Sequence, residues 1–177
     1  MKPISFSDPE DIYQNQFLRL YSVKADFGET QKEYFIVDKG ARVGVILRRG
    51  DEILLVRQYR YMINDMSWEL PGGGVKEEET PEDAAVRESR EEAGVECGPV
   101  TPVFFFQQGI DTTHSPAHIF ECGEFSVLPD YENDETDDRK WVPFDQALEM
   151  AMDGRIKDSM SIVGLLTYDR IRGESGQ

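Results

Sequence analysis

The chain has 177 residues, 39% of them hydrophobic, with 35 acidic against 19 basic side chains and a formal net charge of −16 at pH 7. That length suits one domain, or one domain with a small appendage, and is enough to bury a sizeable core. The acidic balance argues against non-specific nucleic-acid binding, which rests on Lys and Arg against phosphate. It also argues against an anionic membrane surface, and an anionic substrate would need a metal ion and a local basic patch to overcome the field. Cys97 and Cys122 are the only cysteines. They are too few for a disulfide framework and lack metal-ligand spacing, so they read as reduced thiols in a cytoplasmic protein. Residues 1–20 hold no apolar signal-peptide core, and no apolar run reaches the length of a membrane span.

In chain order, residues 1–15 read as irregular. Gln16 to Asp26 and Lys32 to Val37 read as two strands of a hairpin around the turn Phe27-Gly28-Glu29-Thr30. Asp38-Lys39-Gly40 is a natural boundary, which gives an N-terminal β segment over 1–40 and a main domain over 41–177. Arg42 to Leu47 and Ile53 to Tyr59 are apolar, β-branched runs and form a central hairpin. After a helix in the eighties come strands over 100–107, 117–121 and 138–143. Phe144, Ala147, Leu148 and Ala151 follow the spacing of an amphipathic helix. A last helix runs from about Asp158 to Ile171 with Ile162, Leu165 and Leu166 inward. Strands interleaved with three helices imply an α+β fold with a mixed sheet covered on both faces.

The most informative stretch runs from Trp68 to Val95. It begins as a short strand, passes through Gly72, Gly73 and Gly74, and enters a helix with Thr80 as N-cap, Pro81 in the first position and Asp83 near a capping box. The helix extends to about Ala93, and Gly94 fits a left-handed cap. Inside it Glu88, Glu91 and Glu92 stand at i, i+3 and i+4 on one face. Ala84 and Ala85, one turn earlier, leave that face open. Like charges so placed cost roughly 0.2–0.5 kcal/mol per pair, and hard divalent cations prefer such carboxylate oxygens. Arg87, one turn before Glu91, can hold it in place. A glutamate-rich helix alone is usually a solvated face.

The wider spacing resolves that ambiguity. Gly73, Glu79, Arg87, Glu88, Glu91, Glu92, Gly94 and Val95 match G-x5-E-x7-R-E-U-x-E-E-x-G-U, where U is aliphatic, with Ser89 the sole departure. Chance agreement at the seven identities is roughly one in ten million per register. The stretch therefore resembles the box of the Nudix hydrolases. The resemblance implies an α/β/α sandwich over about residues 41–177, with the N-terminal hairpin outside it. Val56-Arg57-Gln58-Tyr59-Arg60, Trp68-Glu69-Leu70-Pro71-Gly72-Gly73 and Met152-Asp153-Gly154-Arg155-Ile156 resemble the ADP-ribose pyrophosphatase and nucleoside diphosphate sugar group. In that group the N-terminal segment is exchanged across a homodimer and supplies part of the nucleoside pocket.

The resemblance also assigns roles. Mg²⁺ (or Mn²⁺) falls to Glu88, Glu91, Glu92 and the Gly72 carbonyl. Arg60 and Glu69 match substrate contacts, while Arg57 reads either as a further contact or as a structural ion-pair residue. The general base falls in the acidic run 130–138, at Glu135 first and Glu132 second. The expected reaction is metal-dependent hydrolysis of a nucleoside diphosphate sugar to a nucleoside monophosphate and a sugar phosphate, with no nucleic-acid or membrane partner. Alternatives are GDP-mannose or nucleoside triphosphate hydrolysis, and a non-catalytic ligand sensor on the same fold. The chain departs from the group at Gln108, where many ADP-ribose enzymes carry proline. His114 reads as a loop residue and His118 as a structural one.

Overall fold

A computed structural model describes residues 2–129, 131, 133 and 136–175, without the side chains of Glu174 and Ser175. In chain order the strands are β1 (Ser5–Phe6), β2 (Glu10–Gln14), β3 (Arg19–Asp26), β4 (Gln31–Asp38), β5 (Arg42–Arg49), β6 (Glu52–Arg60), β7 (Asp65–Glu69), β8 (Gly72–Gly74), β9 (Val95–Cys97), β10 (Thr101–Gln107), β11 (Thr113–His114), β12 (Pro116–Cys122), β13 (Phe125–Val127) and β14 (Asp138–Pro143). The helices are α1 (Pro81–Ala93), α2 (Phe144–Met152) and α3 (Ser159–Ser175). Backbone contacts divide the chain into two units, Met1–Ala41 with Gln107–Pro116, and Arg42–Phe106 with Ala117–Gln177.

In the first unit β3 and β4 form the expected hairpin, in register from Arg19 opposite Asp38 to Asp26 opposite Gln31. Gly28 takes φ 89° in the turn, a conformation that glycine adopts without penalty. The chain before the hairpin is not irregular. β1 and β2 both pair antiparallel with β3, and β2 carries a bulge between Asp11 and Tyr13. All five side chains of β2 are exposed, so backbone pairing forms that strand and no buried alternation marks it in the sequence. The short β11 pairs in parallel with β4.

In the second unit the sheet order is β10-β12-β5-β6-β14, with β7 beside β6 and β8 beside β5. β12 lies parallel to β5, while β14, β7 and β8 pair antiparallel with their neighbours, so the sheet is mixed. Strand alternation sends Val43, Val45, Leu47, Leu54 and Val56 into one core with Ala84, Ala85 and Ala93 of α1. Ile46, Ile53 and Leu55 enter another with Phe144, Ala147 and Met150 of α2 and Met160 and Leu165 of α3. Burial on both faces explains why β5 and β6 read as continuous apolar runs. Two local expectations are corrected. Ala84 and Ala85 do not leave a face open: both are fully buried, and their small side chains let α1 sit close to the sheet. In α3, Leu165 is buried but Leu166 is exposed, and Met160 and Tyr168 take the inward positions. Among the described residues no helix is long and apolar enough to cross a membrane.

Candidate active site

The site is built where α1 meets β8. Thr80 caps the helix by accepting the Asp83 N–H at 3.1 Å, and its hydroxyl donates to the Asp83 carboxylate at 2.6 Å. Gly94, at φ 60°, closes the helix in the left-handed conformation. The glycine strand is pinned from three directions. Pro71 O accepts from Val45 N at 2.8 Å, Leu70 N donates to Ser161 Oγ at 2.9 Å, and Gly72 N donates to Glu92 Oε2 at 2.8 Å. A Cβ at Gly72 would overlap the Val43 carbonyl, and one at Gly73 would overlap the Glu88 carboxylate. Only glycine lets β5 and α1 approach the strand this closely.

Arg87 organises the acidic side of the helix. Its Nε and Nη2 hold Glu79 bidentately at 2.8 and 2.9 Å, and Nη2 also donates to Gly74 O at 2.8 Å. Nη1 donates to Glu88 Oε1 at 2.7 Å and to Glu91 Oε2 at 2.8 Å. These bonds, led by the one from Arg87, hold Glu79 down at about 2, and the three glutamates raise Arg87 beyond its ordinary value. Glu88 and Glu92 are buried and turned toward the glycine strand, whereas the Glu91 side chain is 53% exposed. Glu92 also receives Gln58 Nε2 at 2.5 Å.

Arg60 donates through Nε to Glu69 Oε1 at 2.8 Å and through Nη2 to Glu69 Oε2. Glu69 is buried while Arg60 keeps partial access to solvent, and the Arg60 guanidinium also feels the charges of Asp158 and Glu92. Arg60, Glu69, Gln58 and Glu92 thus gather at one end of β6. Arg57 stands apart. It alternates with the α1-facing Val56, its Nε and Nη2 pair with Asp137 at 2.9 and 2.7 Å, and it lies over the Trp68 ring, which packs on the α2–α3 core. Glu135 and Glu132 lie outside the described residues. Their neighbours latch onto the C-terminal carbonyls of α1: Tyr131 Oη donates to Glu91 O at 2.8 Å and Thr136 Oγ1 to Glu92 O at 3.0 Å.

Sequence reasoning passed over Gln58, Ser161, Tyr131 and Thr136 as parts of this site. Gln58 carried a signal, because it follows Val56 at strand period and so faces α1. The other three act across long sequence separations that no local pattern reports. A cleft of about 630 Å³ opens beside Glu91, lined by Asp83, Arg87, Arg90, Leu128 and Tyr131 among others. In the first unit a cleft of about 360 Å³ is lined by Tyr21, Ile36, Ile110, Thr112 and His114 among others. There His114 Nδ1 stands 3.0 Å from Asp38 Oδ1. Burial works to raise the Asp38 pKa, but the Gly40 N–H and His114 outweigh it and lower the value. His118 lies within a strand between the rings of Phe105 and Phe120.

The donor set of Glu88, Glu91, Glu92 and the glycine carbonyls is all oxygen, which suits a hard divalent cation. The Glu88 carboxylate itself takes the place beside Gly73 that a Cβ would fill, so it lies directly against the glycine strand. Among the described residues no three His, Cys, Asp or Glu side chains converge closely enough to enclose an ion. The box carboxylates are turned to Arg87, Gln58 and the Gly72 N–H, with Glu91 held by Arg87 at the exposed edge.

A buried carboxylate pair facing a glycine strand, on a helix braced by one arginine, defines a hydrolase of the Nudix class. Residues 38–161 match the family described as NUDIX domain, and the chain belongs to that family; it is a Nudix pyrophosphohydrolase. It is 31% identical over 169 residues to a CMP-5'-(N-acetyl-N-hydroxy-3-aminopropyl)phosphonate hydrolase of Streptomyces rubellomurinus, covering 94% of this chain and 82% of the relative. It is 26% identical over 150 residues to an ADP-ribose pyrophosphatase of Bacillus subtilis, covering 84% and 78%. Its fold resembles the crystal structure of an ADP compounds hydrolase with a TM-score of 0.82 at 18% identity, covering 99% of this chain and 97% of the other.

Proposed function

We propose that this protein hydrolyses the pyrophosphate linkage of nucleoside diphosphate sugars, ADP-ribose among them, with Mg²⁺ or Mn²⁺ as cofactor. The observation that carries this reading is the convergence of Glu88 and Glu92 on the Gly72–Gly73 strand, with the Arg60–Glu69 pair on the same side of β6. Glu88, Glu91, Glu92 and the Gly72 carbonyl would hold the cation. When bound, it supplies charge neutralisation at the bridging phosphates and a lowered pKa for attacking water. Arg87 orients Glu88 and Glu91, and Gln58 with the Gly72 N–H orients Glu92. Arg60, freed from Glu69 or sharing it, offers a bidentate donor to a phosphate. A general base takes the proton of the attacking water. The acidic run supplies it, with Glu135 first and Glu132 second; what supports a base from this run is that Tyr131 and Thr136 hydrogen-bond the last carbonyls of α1. Water adds to one phosphorus and the bridging P–O bond breaks, giving a nucleoside monophosphate and a sugar phosphate.

The Bacillus subtilis relative supports ADP-ribose in particular. The Streptomyces relative, with its greater coverage, favours a second reading: cytidine monophosphate joined to a phosphonate. One panel separates them. Nucleotide sugars and CMP-linked compounds are incubated with the protein and Mg²⁺, and a phosphatase converts the monoester products to free phosphate. Glu92→Gln should lower turnover by at least about 10²-fold while the protein stays folded. Full turnover of any substrate in excess EDTA would overturn the proposal.

A further inference from the structure

The last turn of α1 carries Glu91 and Glu92. The helix itself satisfies little of that turn: the Gly94 N–H reaches Ser89 O and Arg90 O, and the later carbonyls need partners from elsewhere. Side chains from the segment before β14, and from β14 itself, supply them. Tyr131 Oη donates to Glu91 O at 2.8 Å, and Thr136 Oγ1 and Asn133 Nδ2 donate to Glu92 O at 3.0 and 3.2 Å. Arg139 Nη1 donates to Ala93 O and, at 3.4 Å, to Gly94 O, which also accepts the Leu128 N–H at 2.9 Å. The group is joined within itself. The Asn133 amide donates to Tyr131 Oη and, at 2.5 Å, to Thr136 Oγ1, while the Arg139 guanidinium lies 4.7 Å over the Tyr131 ring.

Gly94 makes the room for this. A Cβ there would overlap both the Arg139 guanidinium and the Tyr131 ring. The box glycine therefore serves two ends. Its φ of 60° turns the chain out of the helix, and its missing side chain leaves a seat for a cation and a ring. The charge in that seat matters. The C-terminal end of a helix is its negative end, where carboxylates are disfavoured and cations are favoured. Glu91 and Glu92 stand in that turn, and Arg139 brings a positive charge to its carbonyls.

We propose that Arg139 and Tyr131, seated over Gly94, are positioning residues for the hydrolytic reaction, fixing the last turn of α1 so that Glu91 and Glu92 hold the divalent cation. This rests on the assignment of those carboxylates to the cation under the proposed function. Both residues act through main-chain oxygens. Helix ends open more readily than helix centres, and a turn that opened would have to be ordered again whenever the cation bound. Five hydrogen bonds to three consecutive carbonyls and to Gly94 O prevent that.

The test is Mn²⁺ binding to the full chain, read by loss of the free-ion signal in electron paramagnetic resonance, beside thermal melting without metal. A parent chain that binds no Mn²⁺ would overturn the metal assignment and this inference with it. With the parent binding, Arg139→Gln should weaken Mn²⁺ by roughly 10–100-fold, the scale of groups that orient metal ligands. Tyr131→Phe should weaken it by roughly 2–10-fold, the scale of one hydrogen bond. Arg139→Lys, which keeps the charge, should recover part of the loss. Gly94→Asn separates the two uses of the glycine, because asparagine tolerates the left-handed turn while its Cβ displaces Arg139 and Tyr131. Its Mn²⁺ binding should fall as in Arg139→Gln, with no further fall when the two are combined. Tyr131→Phe removes one oxygen and decides the matter should a harsher variant fail to fold. Folded variants that melt lower yet bind Mn²⁺ like the parent would make the group a helix cap only and overturn the proposal, as would parent-like binding in Gly94→Asn.

Discussion

Gln58→Leu tests whether the buried amide is what sets Glu92. Gln58 is 6% exposed and Glu92 4%, and their bond spans 2.5 Å. Leucine keeps most of the volume but withdraws a donor from a buried carboxylate, which retains the Gly72 N–H at 2.8 Å. A hydrogen bond to a charged group contributes about 1.5–3 kcal/mol. At about 2–4 °C per kcal/mol for a chain of this size, the melting temperature should fall by roughly 3–12 °C. On the proposed reading Glu92 holds the cation, and partners of such ligands typically change metal affinity or activity by about 10–100-fold, so the Mg²⁺ concentration for half-maximal turnover should rise on that scale. The assay is thermal melting together with turnover titrated against Mg²⁺, in Gln58→Leu, Glu92→Gln and the double variant. If the effect runs through Glu92, the double variant should melt no lower than the sum of the singles and titrate like Glu92→Gln alone. Additive losses in Mg²⁺ response, or a single variant melting within a degree of the parent, would refute the reasoning.

The Glu79 carboxyl, held at about 2 against an ordinary 4.5 by its bond to Arg87, gives a sign for pH. Its folded-state pKa is depressed, so its contribution is complete above about pH 4.5 and is lost as pH falls toward 2. At about 1.36 kcal/mol per pH unit the ceiling is about 3 kcal/mol. Urea unfolding of the parent and Glu79→Gln between pH 2 and 6 should show the gap between them closing across that window, and a gap independent of pH would contradict it. Glu135→Gln should lower kcat by roughly 10²–10⁴-fold with KM and Mg²⁺ response little changed; a parent-like Glu135→Gln beside a crippled Glu132→Gln would move the base three residues earlier. The N-terminal unit exposes Ile4, Phe6, Phe17 and Phe35, and static light scattering at micromolar concentration should give twice the mass of one chain. A monomer there would remove the expected homodimer.

What could be read from the sequence was whatever the chain encodes locally. Thr80 and Gly94 bracket α1 because capping depends on neighbours three or four residues away. Asp138–Pro143 and the β3–β4 hairpin came from short-range alternation and turn chemistry. β1 and β2 were lost because their partner, not their composition, makes them strands. Leu166 was misplaced because the inward stripe of α3 begins with Met160 and passes through the small buried Ser161, which breaks the apolar period. In the site, the box named the carboxylates and the Arg87 that holds Glu91, but not the Gln58 amide and Gly72 N–H that orient Glu92. The Gln58–Glu92 and Ser161–Leu70 bonds join residues 34 and 91 positions apart.

The pairing of Val37 with Thr113 and of Asp38 with His114 bears on how the chain is made. The first unit needs residues 107–116, which emerge from a ribosome only after β5 to β10 have been synthesised. Until then the Val37–Asp38 end of β4 is open on the side that β11 later covers, and a strand of another nascent copy can pair there. Slow synthesis through 42–106 should therefore favour self-association of early chains, and the yield of native protein should depend on translation rate in a way that refolding of the finished chain does not.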